Sequence, residues 1–90
     1  PAPDTRLPYA TAMWHYSRAI AAAMKADATA TNREIAEIRK LRETVDFAPM
    51  VAAGVPAPDL LLLAEEVAQG RIAYSQKRYQ DAVAHYTTAT

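Results

Sequence analysis

The side chains that could bind a metal, move a proton or attack a substrate are few in this chain, and they are scattered. His15 and His85 are its two histidines, and it has no cysteine. A zinc site needs three or four ligands converging on one point. Neither histidine has a second histidine or a carboxylate beside it at ligand spacing, so both are expected at the surface or a helix edge. Glu65 and Glu66 are adjacent, but neighbouring helical residues point about 100° apart. They cannot grip one substrate as an acid–base pair and are expected on a solvated face. Ser17 and Ser75 lie in no nucleophile-elbow context, and no glycine-rich loop offers a phosphate cradle. No catalytic, cofactor or metal residue follows from these patterns, and the chain is not read as an enzyme.

Charge excludes further classes. Ten basic and ten acidic residues cancel, so no global field draws nucleic acid or anionic lipid. Arg33, Arg39, Lys40 and Arg42 form a local basic group, but Glu34, Glu37 and Glu43 interleave with it and nearly neutralise it. The longest run of large apolar residues, Leu60-Leu61-Leu62-Leu63, falls far short of the roughly 20 residues a membrane span needs. Without cysteine there is neither a disulfide nor a thiolate zinc site. The compartment stays open on that ground, with a soluble, cytoplasmic setting favoured over a periplasmic one. Pro1-Ala2-Pro3-Asp4 carries neither an initiator methionine nor a signal-peptide pattern and reads as a processed or trimmed end.

The aromatic residues are the most informative set: Tyr9, Trp14, Tyr16, Tyr74, Tyr79 and Tyr86. Each alone is expected to pack in a core, with its polar tip reaching solvent or a carbonyl. Together they suggest a concave groove in which Trp14, Tyr16 and Tyr74, with Arg18 and Arg71, hold an extended peptide or a helix.

Helices must position these residues. The chain is 51% hydrophobic, but alanine supplies much of that fraction. Alanine favours helix and lets helices approach closely. Sparse glycine and β-branched residues point away from sheet. Residues 1–7 read as an extended lead-in, and helix one is expected over 8–26 with Pro8 in its first turn. Tyr9, Met13, Tyr16, Ile20 and Met24 form its apolar stripe, widened by Trp14, Ala21 and Ala28. Thr31 and Glu34 fit a capping box opening helix two, although Asp27 could cap an earlier start. Ile35, Ile38, Leu41 and Val45 then face inward, while Arg39 and Glu43 pair on the outside. Segment 46–57 holds prolines and a glycine and reads as an inter-hairpin loop with room for one helical turn. Its Phe47, Met50, Val51 and Val55 are expected to fold back on the bundle. Helix three starts at Pro58-Asp59 with two apolar stripes, one of Leu60, Leu63, Val67, Gly70 and Tyr74, the other of Leu61, Ala64, Ala68 and Ile72, as if it touched two neighbours. A tight turn at Gln76-Lys77-Arg78 leads into helix four, with Tyr79, Ala82, Val83, Tyr86 and Ala89 inward.

The run Gly70-Arg-Ile-Ala-Tyr-Ser-Gln-Lys-Arg-Tyr79-Gln-Asp-Ala82-Val-Ala-His-Tyr86-Thr-Thr-Ala89 resembles the core of a tetratricopeptide repeat. The resemblance implies that Gly70 lies where two helices cross closely, that Tyr79 opens the second helix, and that Ala82, Tyr86 and Ala89 complete its inner face. Lys77 departs from the family's turn glycine, and Gln69 from its large aliphatic residue. The first hairpin is a weaker copy on Trp14, Ala19, Ala22, Ile35 and Ile38, with Thr31 in place of a small alanine, and the copies stand about fifty residues apart against the usual 34. Leu7–Arg18 is similar to a segment from the C-terminal part of long bacterial proteins built of such repeats. That likeness implies a piece of a longer superhelix, as does a last helix with no polar capping helix after it.

The expectation is therefore all-α: two antiparallel hairpins, four helices, stacked as irregular repeats within a single domain over 1–90. Its expected work is protein–protein interaction, with a protein or peptide partner or with adjacent repeats of a parent chain. The alternatives are a self-associating helical domain forming a homodimer, and an accessory domain binding a small apolar ligand.

Overall fold

Alanine-rich, 3.6-periodic sequence with few breakers produces helix throughout. The structure, a computed structural model, describes residues 6–80, which form α1 (Arg6–Met24), α2 (Ala28–Thr44), the single-turn α3 (Ala48–Ala52) and α4 (Ala57–Gln80). The fold among these residues is all-α, with each of the three long helices packed against the other two.

Helix α1 starts at Arg6, inside the expected lead-in, because Pro8 falls in the first turn where its missing N–H costs nothing. It ends in a backbone-capped turn. Ala26 takes φ 57°, the Ala26 N–H donates to Ala23 O at 2.9 Å, and the Asp27 N–H donates to Ala22 O at 3.0 Å. This pair of bonds satisfies carbonyls the helix would leave free, with alanine in a left-handed position that glycine usually fills. Asp27 then caps α2, its carboxylate accepting from the Ala30 N–H at 3.0 Å. The expected capping box at Thr31 is therefore absent. Thr31 lies one turn into the helix, fully buried, and its hydroxyl donates to Asp27 O at 2.7 Å.

Two layers of core run along the bundle. One joins Ala12, Ile38, Phe47, Ala57 and Leu61, flanked by Tyr9, Met13, Tyr16, Leu41, Val45 and Met50. The other joins Ala19, Ile35 and Ala68, flanked by Ile20. N-terminal halves of α1 and α4 meet in the first layer and their middles in the second, so these helices run parallel and α2 runs antiparallel to both. On α1 the buried residues are Ala12, Ala19 and Ala23, one position off the expected stripe. Small residues sit where the helices are closest, and Met24 is left exposed. Trp14, expected to widen the buried face, is 55% exposed.

The 46–57 segment folds back through two of its four apolar residues. Phe47 is buried and meets Tyr9 edge-on at 6.4 Å, and Met50 packs on the first layer. Val51 stays exposed, and Val55 is half-buried. The tight turn expected at Gln76-Lys77-Arg78 does not form: α4 continues through it to Gln80. Lys77, where the repeat family has glycine, has no feature that stops a helix, and Gln, Lys and Arg are all good helix formers. Helix four as expected beyond that turn, with Ala82, Val83, Tyr86 and Ala89, lies outside the described residues.

Candidate functional site: ion clasps and an exposed helix face

Two glutamates are buried between helices, each held by a pair of nitrogen donors from residues three apart. Glu34 of α2 accepts from His15 Nδ1–H at 2.6 Å and from Arg18 Nε–H at 3.2 Å, joining α2 to α1. Glu65 of α4 accepts from Arg39 Nε–H at 3.1 Å, from Arg42 Nε–H at 2.5 Å and from a terminal Arg42 N–H at 3.4 Å, joining α4 to α2. Residues i and i+3 lie on one helical face, so each donor pair forms a fork around a carboxylate from the next helix. The His15 hydrogen bond, with Arg18 beside it, holds the Glu34 carboxyl below its ordinary 4.5 against the opposing effect of burial. Glu65, expected on a solvated face, is instead 2% exposed. Its hydrogen bond raises the already high Arg42 further. Arg39 serves this clasp rather than the surface pair expected with Glu43.

The sequence does carry a signal for these clasps. Glu34 precedes Ile35 within the apolar stripe of α2, and Glu65 stands one turn from both Leu61 and Ala68 in the buried stripe of α4. An acid at a core register needs a partner, and His15/Arg18 and Arg39/Arg42 are the basic pairs at matching spacing.

The expected groove is not assembled. Trp14 lies under the Arg18 guanidinium, 4.8 Å from its ring centroid, with His15 edge-on at 4.9 Å. This cluster stands beside Glu34 on the α2 flank of α1. Tyr16 packs inward on the first core layer. Arg71 and Tyr74 instead line a shallow depression of about 250 Å³ with Ala23, Met24 and Ser75, on the α4 side. Met24 and Tyr74 are 77% and 73% exposed, so the depression is open rather than a closed ligand pocket. Gly70 is exposed, and a Cβ placed on it would meet nothing within 4 Å among the described residues. The second helix that the repeat resemblance sets against Gly70 lies outside the described residues. Tyr79 belongs to the last turn of α4, while Ala82, Tyr86 and Ala89 lie outside the described residues.

The two apolar stripes of α4 have different fates. Ala57, Leu61, Ala64, Ala68 and Ile72 are buried against α1 and α2. Leu60, Leu63 and Tyr74 remain exposed, with Val67 half-buried between them. Among the described residues no group of three acidic or histidine side chains gathers as a metal site, and no helix is long and apolar enough to cross a membrane. No protein-family model, curated protein or solved structure matches the chain.

Proposed function

We propose that this chain is a helical protein-interaction module with no catalytic activity of its own, and that its docking surface is the outer face of α4. The observation carrying this is the second apolar stripe: Leu60, Leu63 and Tyr74 are 37%, 55% and 73% exposed along one side of a helix whose other stripe is fully used. Large apolar side chains in a row at helical spacing suit a facing helix. The tetratricopeptide reading draws support from the way α4 runs parallel to α1 and covers both helices of the first hairpin, as successive helices of a solenoid do. The uninterrupted α4 counts against it, so the interaction reading rests on the α4 face and not on that likeness.

A photo-crosslinking residue at Leu63, with one at the exposed Ala36 on α2 as control, tests this. A protein adduct formed in cells from position 63 and not from position 36 is expected. Equal labelling from both, or none from position 63, would remove the assignment.

A further inference from the structure

The exposed stripe of α4 has a spacing that reads the same in both directions. Leu60, Leu63, Val67, Gly70, Tyr74 and Lys77 follow at steps of three, four, three, four and three, over about 26 Å of helix. A second α4 laid antiparallel on this stripe places Leu63 opposite Tyr74 and Val67 opposite Gly70, with each Leu60 beside the stem of Lys77. Large thus meets large at both ends, and a medium side chain meets an exposed glycine. Steps of three and four along one seam are the pattern of knobs-into-holes helix pairing.

Charge favours the antiparallel direction. Asp59, Glu66 and Lys77 lie along one flank of the stripe, within about 20° of one another around the helix, and all three are exposed. The acids stand on the N-terminal half and Lys77 on the C-terminal half, with Arg71 adding positive charge there on the other flank. In a two-fold antiparallel pair each flank faces its own copy reversed, which brings Asp59 of one chain to Lys77 of the other. A parallel pair instead turns this flank toward the partner's opposite one, where Leu60, Ala64 and Arg71 stand, so Asp59 meets no cation there and Lys77 no acid.

Resting on the interaction reading above, we propose that the occupant of this face is a second copy of the chain, docked by antiparallel α4–α4 pairing about a two-fold axis between Val67 and Gly70. Such an interface is self-complementary, as closed two-fold dimers require.

Sedimentation equilibrium of the whole chain from about 10 μM to 1 mM, with helicity followed by circular dichroism, tests the proposal. The expected result is a concentration-dependent dimer. Asp59→Lys and Lys77→Asp each weaken it by about tenfold or more, and the double variant Asp59→Lys/Lys77→Asp returns to within a few-fold of the parent. Leu63→Asp abolishes it while the exposed position leaves the fold intact. A monomer throughout, a dimer indifferent to Leu63→Asp, or a double variant that fails to recover would overturn the pairing. If the chain is monomeric and residue 63 crosslinks to a different protein, the self-pairing falls while the interaction face stands. If residue 63 crosslinks to nothing, both fall.

Discussion

Glu65 is the most consequential single residue. A carboxylate 2% exposed is tolerable only because two arginines surround it, since an unpaired buried charge costs several kcal/mol. Its arginines are less buried, with side chains 45% and 24% exposed for Arg39 and Arg42. Once freed, they can return to water, which trims the loss. Glu65→Ala should lower unfolding stability by about 2–3 kcal/mol in urea melts. Glu34 adds a pH dependence of definite sign. Its folded carboxyl lies below 4.5, chiefly through the His15 hydrogen bond. The stability it contributes is therefore fully present above pH 4.5 and is lost as pH falls through the lower folded value. Urea midpoints of the parent and Glu34→Gln should differ at neutral pH and converge in acid. A gap that stayed constant from pH 7 to 3 would contradict the clasp.

At the scale of elements, the junction of α1 and α2 holds a local conflict. Ala26 adopts φ 57°, a conformation costing a residue with a Cβ about 1 kcal/mol, so that two helix-end carbonyls can be capped. Ala26→Gly should therefore raise stability by about 1 kcal/mol, readable as an upward shift of the thermal midpoint. Loss of stability on that substitution would show that the left-handed turn is not formed. The same junction explains why helix two was misplaced from sequence. Asp27 and Thr31 are both competent caps, and local patterns do not say which is used. Thr31 is buried with its hydroxyl turned back on Asp27 O, which leaves the cap to Asp27. Toward the C-terminal end of α4, Gln76-Lys77-Arg78 has no proline or glycine to support the turn expected there. Helix propensity alone favoured the continuous α4 that the structure contains.

For the whole molecule, close approach of three helices depends on alanine at the crossing points. Ala19 and Ala68 are fully buried beside Ile35, so Ala68→Leu should overpack the second layer and cost about 1–3 kcal/mol. The same substitution at the exposed Ala73 should be nearly neutral, and equal effects at both would refute the packing. Much of this architecture was legible beforehand. Composition and 3.6-residue periodicity established helix, its rough boundaries, and the two apolar stripes of α4, because these depend on local propensity and on which side chains avoid water. Three decisions needed the assembled fold. Whether α1 turns its large stripe or its alanines to the closest contact depends on how near the neighbouring helix comes. Whether Glu34 and Glu65 are solvated or clasped depends on basic side chains 16 to 26 residues away in sequence. Which stripe of α4 is buried depends on where α1 and α2 leave room. Each is a contact between distant segments, and periodicity along one helix carries the direction a side chain points but not what stands there to meet it.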